Sequence, residues 1–217
     1  MIFDAEVLQI TLLSLKISAL ATSISLLIGL PLGTLLALGK FPGRSFFLSI
    51  VNTGMGLPPV VVGLMVAMLL WRSGPLGDLK LIYTPVAIII AQTIISAPVV
   101  TGLTAAALQS LDPRFRLQLY GLGASRLQMI TSLWREARLP LLAALMAGFG
   151  SVISEVGASM MVGGNIRFQT RVLTTAIVLE TGKGHFDLAI ALGLLLLLIT
   201  FLVNWALTWI QQRGARR

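Results

Sequence analysis

The sequence predicts an all-α, polytopic membrane protein with about five transmembrane helices, and three observations lead there. The chain of 217 residues is 56% hydrophobic and only 11% charged, whereas a soluble domain has about 25% charged residues. Its mean hydropathy is +0.93. Five stretches, 8–38, 46–71, 81–108, 139–162 and 188–210, reach the roughly 20 apolar residues that a bilayer core demands. The formal charge of +8 would suggest nucleic acid in a soluble chain. Here basic loops on one side of a membrane account for it, so the lipid bilayer is the expected partner and nucleic acid is not. The absence of cysteine excludes disulfides, thiol catalysis and Cys-ligated metals. The opening "MIFDAEVLQ" is acidic, which argues against a cleaved secretory signal.

The first stretch is long enough to tilt or to project from the bilayer. The second holds Pro58 and Pro59 in "GLPPVVVG", where a kink either frees backbone groups to face a cavity or is simply tolerated. The third carries Gln92 and Thr93, followed by "SAPVVTG". The fourth contains Glu155, the only carboxylate well inside a predicted span. An ionisable residue there marks a functional site by default, although a helix-packing hydrogen bond also accounts for it. Gly150, Gly157, Gly163 and Gly164 allow close approach and bending around it. The fifth stretch leads into the basic tail "QQRGARR".

Lysine and arginine give the orientation. An external N-terminus gathers Lys40, Arg44, Arg114, Arg116, Arg126, Arg135, Arg138, Arg213, Arg216 and Arg217 on one side. Arg72, Lys80, Arg167, Arg171 and Lys183 fall on the other, and Lys16 lies within the first span. Ten against five makes the first side, with the C-terminus, cytoplasmic. Arg167 and Arg171 would then attract an anion, pair with an acidic docking protein, or sit in a solvated loop.

Between the third and fourth stretches lies a cytoplasmic segment, about 112–140, that includes "YGLGASRLQMITSLWREARLP". Asp112 before Pro113 fits a helix N-cap and first position. Gly121 and Gly123 end this first helix, and Leu127, Ile130, Trp134 and Ala137 recur on one face of a second. The segment reads as a docking element; the same pattern fits a helix resting on anionic headgroups.

"DPRFRLQLYGLGAS" and the closing "RLP" resemble the cytoplasmic Glu-Ala-Ala loop of permease subunits of ABC importers, with Gly123 at the glycine position. Leu117, Gln118 and Leu119 replace the Glu-Ala-Ala residues, and the distance from glycine to proline is about one helical turn longer. "SEVGASMMVGGNIRFQTRVLTTAIVLETGKG" resembles the tungstate/molybdate/sulfate branch, most of all the tungstate-type permeases, and the similarity runs over nearly the whole chain. The resemblance implies a type I ABC importer permease fold in one transmembrane domain over 1–217. It also implies a homodimer in the inner membrane, a cytoplasmic ATP-binding subunit and an extracytoplasmic oxyanion-binding protein. No cofactor would be bound directly, and the partner subunit would use the ATP. Molybdate or sulfate would be the alternative cargo, and a secondary anion transporter the more distant reading; neither internal repeats with paired broken helices nor charged residues in several spans are legible in the sequence.

For passage of a dianion, hydroxyls and backbone N–H groups serve better than a trapping charge. Ser151, Ser154, Ser159 and Asn165 are the candidate donors, with Gln92 and Thr93 in the third stretch, and with Glu155, Gly157, Pro58 and Pro59 at the gate and no metal ligands. Gly123, Ala124, Ser125 and Arg126 are the candidate contacts to the ATPase. Enzyme chemistry finds no constellation: His185 is the only histidine, and there is no Gly-x-Ser-x-Gly. Around Gly182-Lys183, Ile177 and Gly184 stand where a P-loop needs glycine and Ser or Thr.

Overall fold

The computed structural model describes residues 5–215, with side chains as far as Gln212. Arg216, Arg217 and the side chain of Arg213, assigned above to the cytoplasmic tail, lie outside it. Ten α-helices follow one another: α1 (Ala5–Leu38), α2 (Arg44–Met55), α3 (Pro59–Leu70), α4 (Pro85–Gln109), α5 (Pro113–Gly121), α6 (Arg126–Glu136), α7 (Arg138–Ile153), α8 (Gly157–Gly163), α9 (Leu173–Gly182) and α10 (Phe186–Ala215). The described residues contain no strand.

Helices α1, α4 and α10 are each long and apolar enough to cross a membrane. The stretch expected over 46–71 is two helices, α2 and α3, bent by 101°. Leu57 precedes the Pro58–Pro59 pair, and the residue before a proline is pushed out of the helical region. Pro59 then opens α3 at a first-turn position, where its missing N–H costs nothing. The stretch expected over 139–162 is likewise interrupted, since α7 ends at Ile153 and α8 starts at Gly157. At its other end α7 meets α6 at 74°.

The centre of the bundle is α1 against α4. One face of α1 buries Ser14, Ser18, Ala21, Thr22, Ser25, Gly29 and Gly33, small residues at three- and four-residue steps. Small side chains let helices approach closely where lipid supplies no hydrophobic drive between them. A Cβ on Gly29 would lie 2.7 Å from Val100 Cγ1, and one on Gly33 would lie 2.6 Å from the Thr101 carbonyl oxygen. Val62, Val66, Ile88, Ala91 and Val162 form the main apolar core beside this seam. Helix α10 is peripheral and leaves Leu194, Leu197, Phe201 and Trp205 exposed, as a lipid-facing helix does.

The two ends of the bundle differ. At one, Leu108, Met129, Leu133 and Ala137 pack with Leu38 and Leu141, so the ends of α1 and α4 meet α5, α6 and the start of α7. At the other, Ile10 packs with Leu173, Ala176 and Leu192.

The seam generates a stability prediction. Gly33→Leu must push apart two backbones, and overpacking of this kind costs about 1–3 kcal/mol or more. Gly193→Ala in α10, where a Cβ meets nothing within 4 Å, should be neutral or slightly stabilising. Thermal unfolding in detergent should show a clear drop for the first and none for the second.

Candidate functional site

The break between α7 and α8 is built around one carboxylate. Glu155 is 5% exposed. Its Oε1 accepts the Ala158 N–H at 2.7 Å, and its Oε2 accepts the Ser159 N–H at 2.9 Å and the Ser159 hydroxyl at 2.8 Å. These are first-turn N–H groups of α8, which have no partner within their own helix. A negative charge there also complements the helix dipole. The Glu155 carbonyl in turn accepts the Thr174 hydroxyl at 2.9 Å, tying the break to α9.

Polar side chains of α4 hold the other flank. Gln92 Nε2 donates to the Val152 carbonyl at 3.2 Å and lies 3.4 Å from Ser159 Oγ, while the Ser96 hydroxyl donates to the Gly148 carbonyl at 3.2 Å. All three of Gln92, Ser96 and Ser159 are buried. The α2–α3 break lies alongside. A Cβ on Gly157 would come within 2.5 Å of Val60 Cγ2, and one on Gly63 within 2.6 Å of the Ala158 Cα. The two interrupted helices therefore meet closely, Gly63 against the Ala158 backbone and Gly157 against the Val60 side chain.

The candidate donors divide accordingly. Glu155 and Ser159 join Gln92 in the buried cluster. Ser151 and Ser154 donate back to the carbonyls of Gly148 and Gly150 in their own helix, at 2.8 and 2.7 Å. Ser154, Pro58 and Pro59 are exposed beside the breaks. Asn165 does not join the serines; it sits in the turn after α8 with a φ of 50°, its amide 3.4 Å from the Thr175 carbonyl. Ser96 and Thr174 were not among the expected residues, and only their place beside a helix break marks them.

Arg167 and Arg171 are neither free anion traps nor simply solvated. Both bond to Glu6 in the first turn of α1, at 2.6 and 3.1 Å. Nearby, Glu180 pairs with Lys183 and with His185, each at 2.8 Å. The Lys183 ammonium first, then the His185 ring, hold the Glu180 carboxyl below its ordinary range.

The 112–140 segment forms the second candidate site. Asp112 caps α5 as expected, accepting the Arg114 N–H at 2.8 Å. Gly123 has a φ of 73°, a left-handed conformation suited to glycine, and a Cβ there would meet nothing within 4 Å. Ser125 caps α6 reciprocally with Gln128; the Ser-x-x-Gln spacing of a capping box was legible in "SRLQ". Of the expected line, Ala137 at the C-cap is buried and Ile130 and Trp134 are half-buried, but Leu127 is exposed, and Met129 and Leu133 are the buried residues of α6. Leu127 is 72% exposed because, two residues before the buried Met129, it falls on the opposite side of the helix. Leu122, between two glycines at the tip, is 83% exposed, an apolar side chain standing free beside Ala124, Ser125 and Arg126.

Residues 29–216 match the family described as "Binding-protein-dependent transport system inner membrane component". Over 201 residues the chain is 42% identical to a probable anion ABC transporter permease protein of Haloferax volcanii, covering 90% of this chain and 87% of that protein. It is 40% identical to the tungstate uptake system permease protein TupB of Peptoclostridium acidaminophilum over 210 residues, 97% of this chain and 92% of that protein. The fold is similar to a subunit in the inward-facing MetNI methionine ABC transporter, with a TM-score of 0.76 at 18% identity over 96% of both chains.

The Glu155 geometry predicts a graded response. Glu155→Leu leaves two α8 N–H groups and the Ser159 hydroxyl without their acceptor, at about 1–3 kcal/mol for each buried orphan. Glu155→Gln keeps one acceptor oxygen and should fall between. Unfolding midpoints should rank wild type above Gln above Leu; equal midpoints for wild type and Leu would show that α8 forms without the carboxylate.

Proposed function

The chain belongs to the family of binding-protein-dependent transport system inner membrane components, and on that premise we propose that it is the membrane-spanning subunit of an ATP-driven importer that carries tungstate inward. The observation that carries this reading is the 40% identity to a tungstate permease over 97% of the chain. The geometry of the breaks supports it. The charge of Glu155 is absorbed by three hydrogen bonds within its own turn, so it orders the break rather than opposing a dianion. The exposed rim of Ser154, Pro58 and Pro59 carries no charge, and passage requires binding weak enough to release.

In this reading Ser151, Ser154, Glu155, Gly157 and Ser159 belong to the gate of a path shared by two copies of the chain, since five spans are few to enclose a polar route. Asn165 contributes at its outer end. Gly123, Ala124, Ser125 and Arg126, with Leu122 added by the structure, seat in a groove of a cytoplasmic ATP-binding subunit, which performs the hydrolysis. The end bearing Lys40, Arg44 and Arg138 faces the cytoplasm, and the end bearing Arg167 and Lys183 meets an extracytoplasmic binding protein.

Proteoliposomes containing the chain, its ATPase and its binding protein should accumulate tungstate only when ATP is present. A tenfold excess of molybdate should inhibit more than sulfate does. Preference for sulfate would move the assignment to another cargo, and uptake independent of ATP would favour a secondary transporter.

Leu122→Asp tests the docking site with little disturbance of the fold, because the side chain is 83% exposed. It should weaken co-purification of the ATPase by at least about tenfold, the scale of an apolar interface anchor. Gly123→Trp combines bulk with the strain of a left-handed φ and should uncouple hydrolysis from uptake. Normal uptake by both variants would remove the ATPase from this surface.

A further inference from the structure

We propose that the last two turns of α1 are the joint through which the docking element moves the membrane bundle, and that the hydrogen bond from Trp134 to Thr34 is its positioning contact. The proposal rests on the docking role given above to the loop before α6.

Three elements converge on this end of α1. Arg44, opening α2, donates from Nε to the Leu36 carbonyl at 2.6 Å. Arg116 of α5 donates to the Leu38 carbonyl at 3.4 Å. Trp134 of α6 donates from Nε1 to Thr34 Oγ1 at 2.9 Å, and the Thr34 hydroxyl in turn donates to the Leu30 carbonyl at 2.7 Å. The two arginines do what helix ends call for, since the last carbonyls of a helix lack internal partners and its C-terminus favours cations. Trp134 does something different. Its contact is side chain to side chain, 100 positions apart in sequence, and it satisfies no orphan carbonyl of α1.

Stiffness separates the contacts. Arginine side chains absorb small displacements through several torsions, whereas an indole has two. Leu133 and Ala137, on either side of Trp134 in sequence, are packed into the cluster that includes Leu108 and Leu38. The α1–α4 seam runs up to Gly33, the residue before Thr34, and it has no slack: Gly29 and Gly33 leave no room for even a Cβ. Close-packed interiors transmit displacement rather than absorb it. Helix α4 then reaches the α7–α8 break directly, through Gln92 and Ser96. A shift of α6 therefore has a continuous rigid route to Glu155, distinct from the direct α6–α7 connection, which carries a 74° bend at Ala137.

The test uses the complete complex in proteoliposomes and reads tungstate taken up per ATP hydrolysed, alongside ATPase co-purification and unfolding midpoints. Trp134→Phe keeps the ring and loses the donor; Thr34→Val keeps the branched shape and loses the acceptor. Each should lower uptake per ATP by about three- to tenfold, the share of one hydrogen bond, while the ATPase still co-purifies. The double variant should be no worse than either single one, because both remove the same bond. Thr34→Ser, which restores a hydroxyl, should recover coupling. Wild-type ratios in both single variants, a multiplied loss in the double, or failure of Thr34→Ser would each overturn the joint. Absence of ATP-dependent uptake by the unmutated complex would instead overturn the transport reading beneath it.

Discussion

A helix interrupted in an apolar layer leaves backbone N–H groups that water cannot reach, and the fold depends on how Glu155 meets that constraint. Lipid-facing backbone has no such freedom; interruptions survive only where protein supplies the partners. One carboxylate with two oxygens satisfies two N–H groups and a hydroxyl. With the break secured, α8 packs against α3, where Gly63 admits the Ala158 backbone and Gly157 admits the Val60 side chain. The α2–α3 break uses the opposite device, since prolines remove the donors instead of supplying an acceptor. Two interruptions, one rich in hydrogen bonds and one lacking donors, thus pack into a single junction.

Around that junction the structure is held by packing more than by charge. The α1–α4 seam is narrow because its residues are small, and it places Gln92 and Ser96 against the end of α7. The ion pairs at the Glu6 end are partly exposed, with Arg167 at 60% side-chain exposure, and exposed pairs contribute about 0–1 kcal/mol. They fix the 165–171 turn to α1 rather than hold the bundle together. The same pairing lowers the field that Arg167 and Arg171 would present to an approaching anion.

In the proposed reading this arrangement would separate three tasks. An exposed apolar tip at Leu122 offers a contact surface, a rigid pair of helices spans the bundle, and an interrupted helix pair supplies the element that can rearrange. In the proposed gate, Gln92 and Ser96 of α4 hold the Val152 and Gly148 carbonyls of α7, so a displacement of α4 would bear directly on the interrupted pair. Interfaces built this way favour discrete arrangements over continuous deformation.

The sequence by itself determined the membrane class, the number of apolar stretches, the glycine turn between α5 and α6, the Asp112 cap and the family resemblance. These are legible because hydropathy, glycine and proline act over a few residues. Glu155 could be singled out by its charge in an apolar run, and the proline pair by its chemistry. Only the tertiary structure decided that the second and fourth stretches are broken, that Glu155 spends its charge on α8, and that α6 buries Met129 and Leu133 in place of Leu127. It alone brought Trp134 to Thr34 and Glu6 to Arg167. The physical reason is distance along the chain: a three- or four-residue period specifies that a helix has a face, while which face is covered depends on other helices, from tens to more than a hundred residues away.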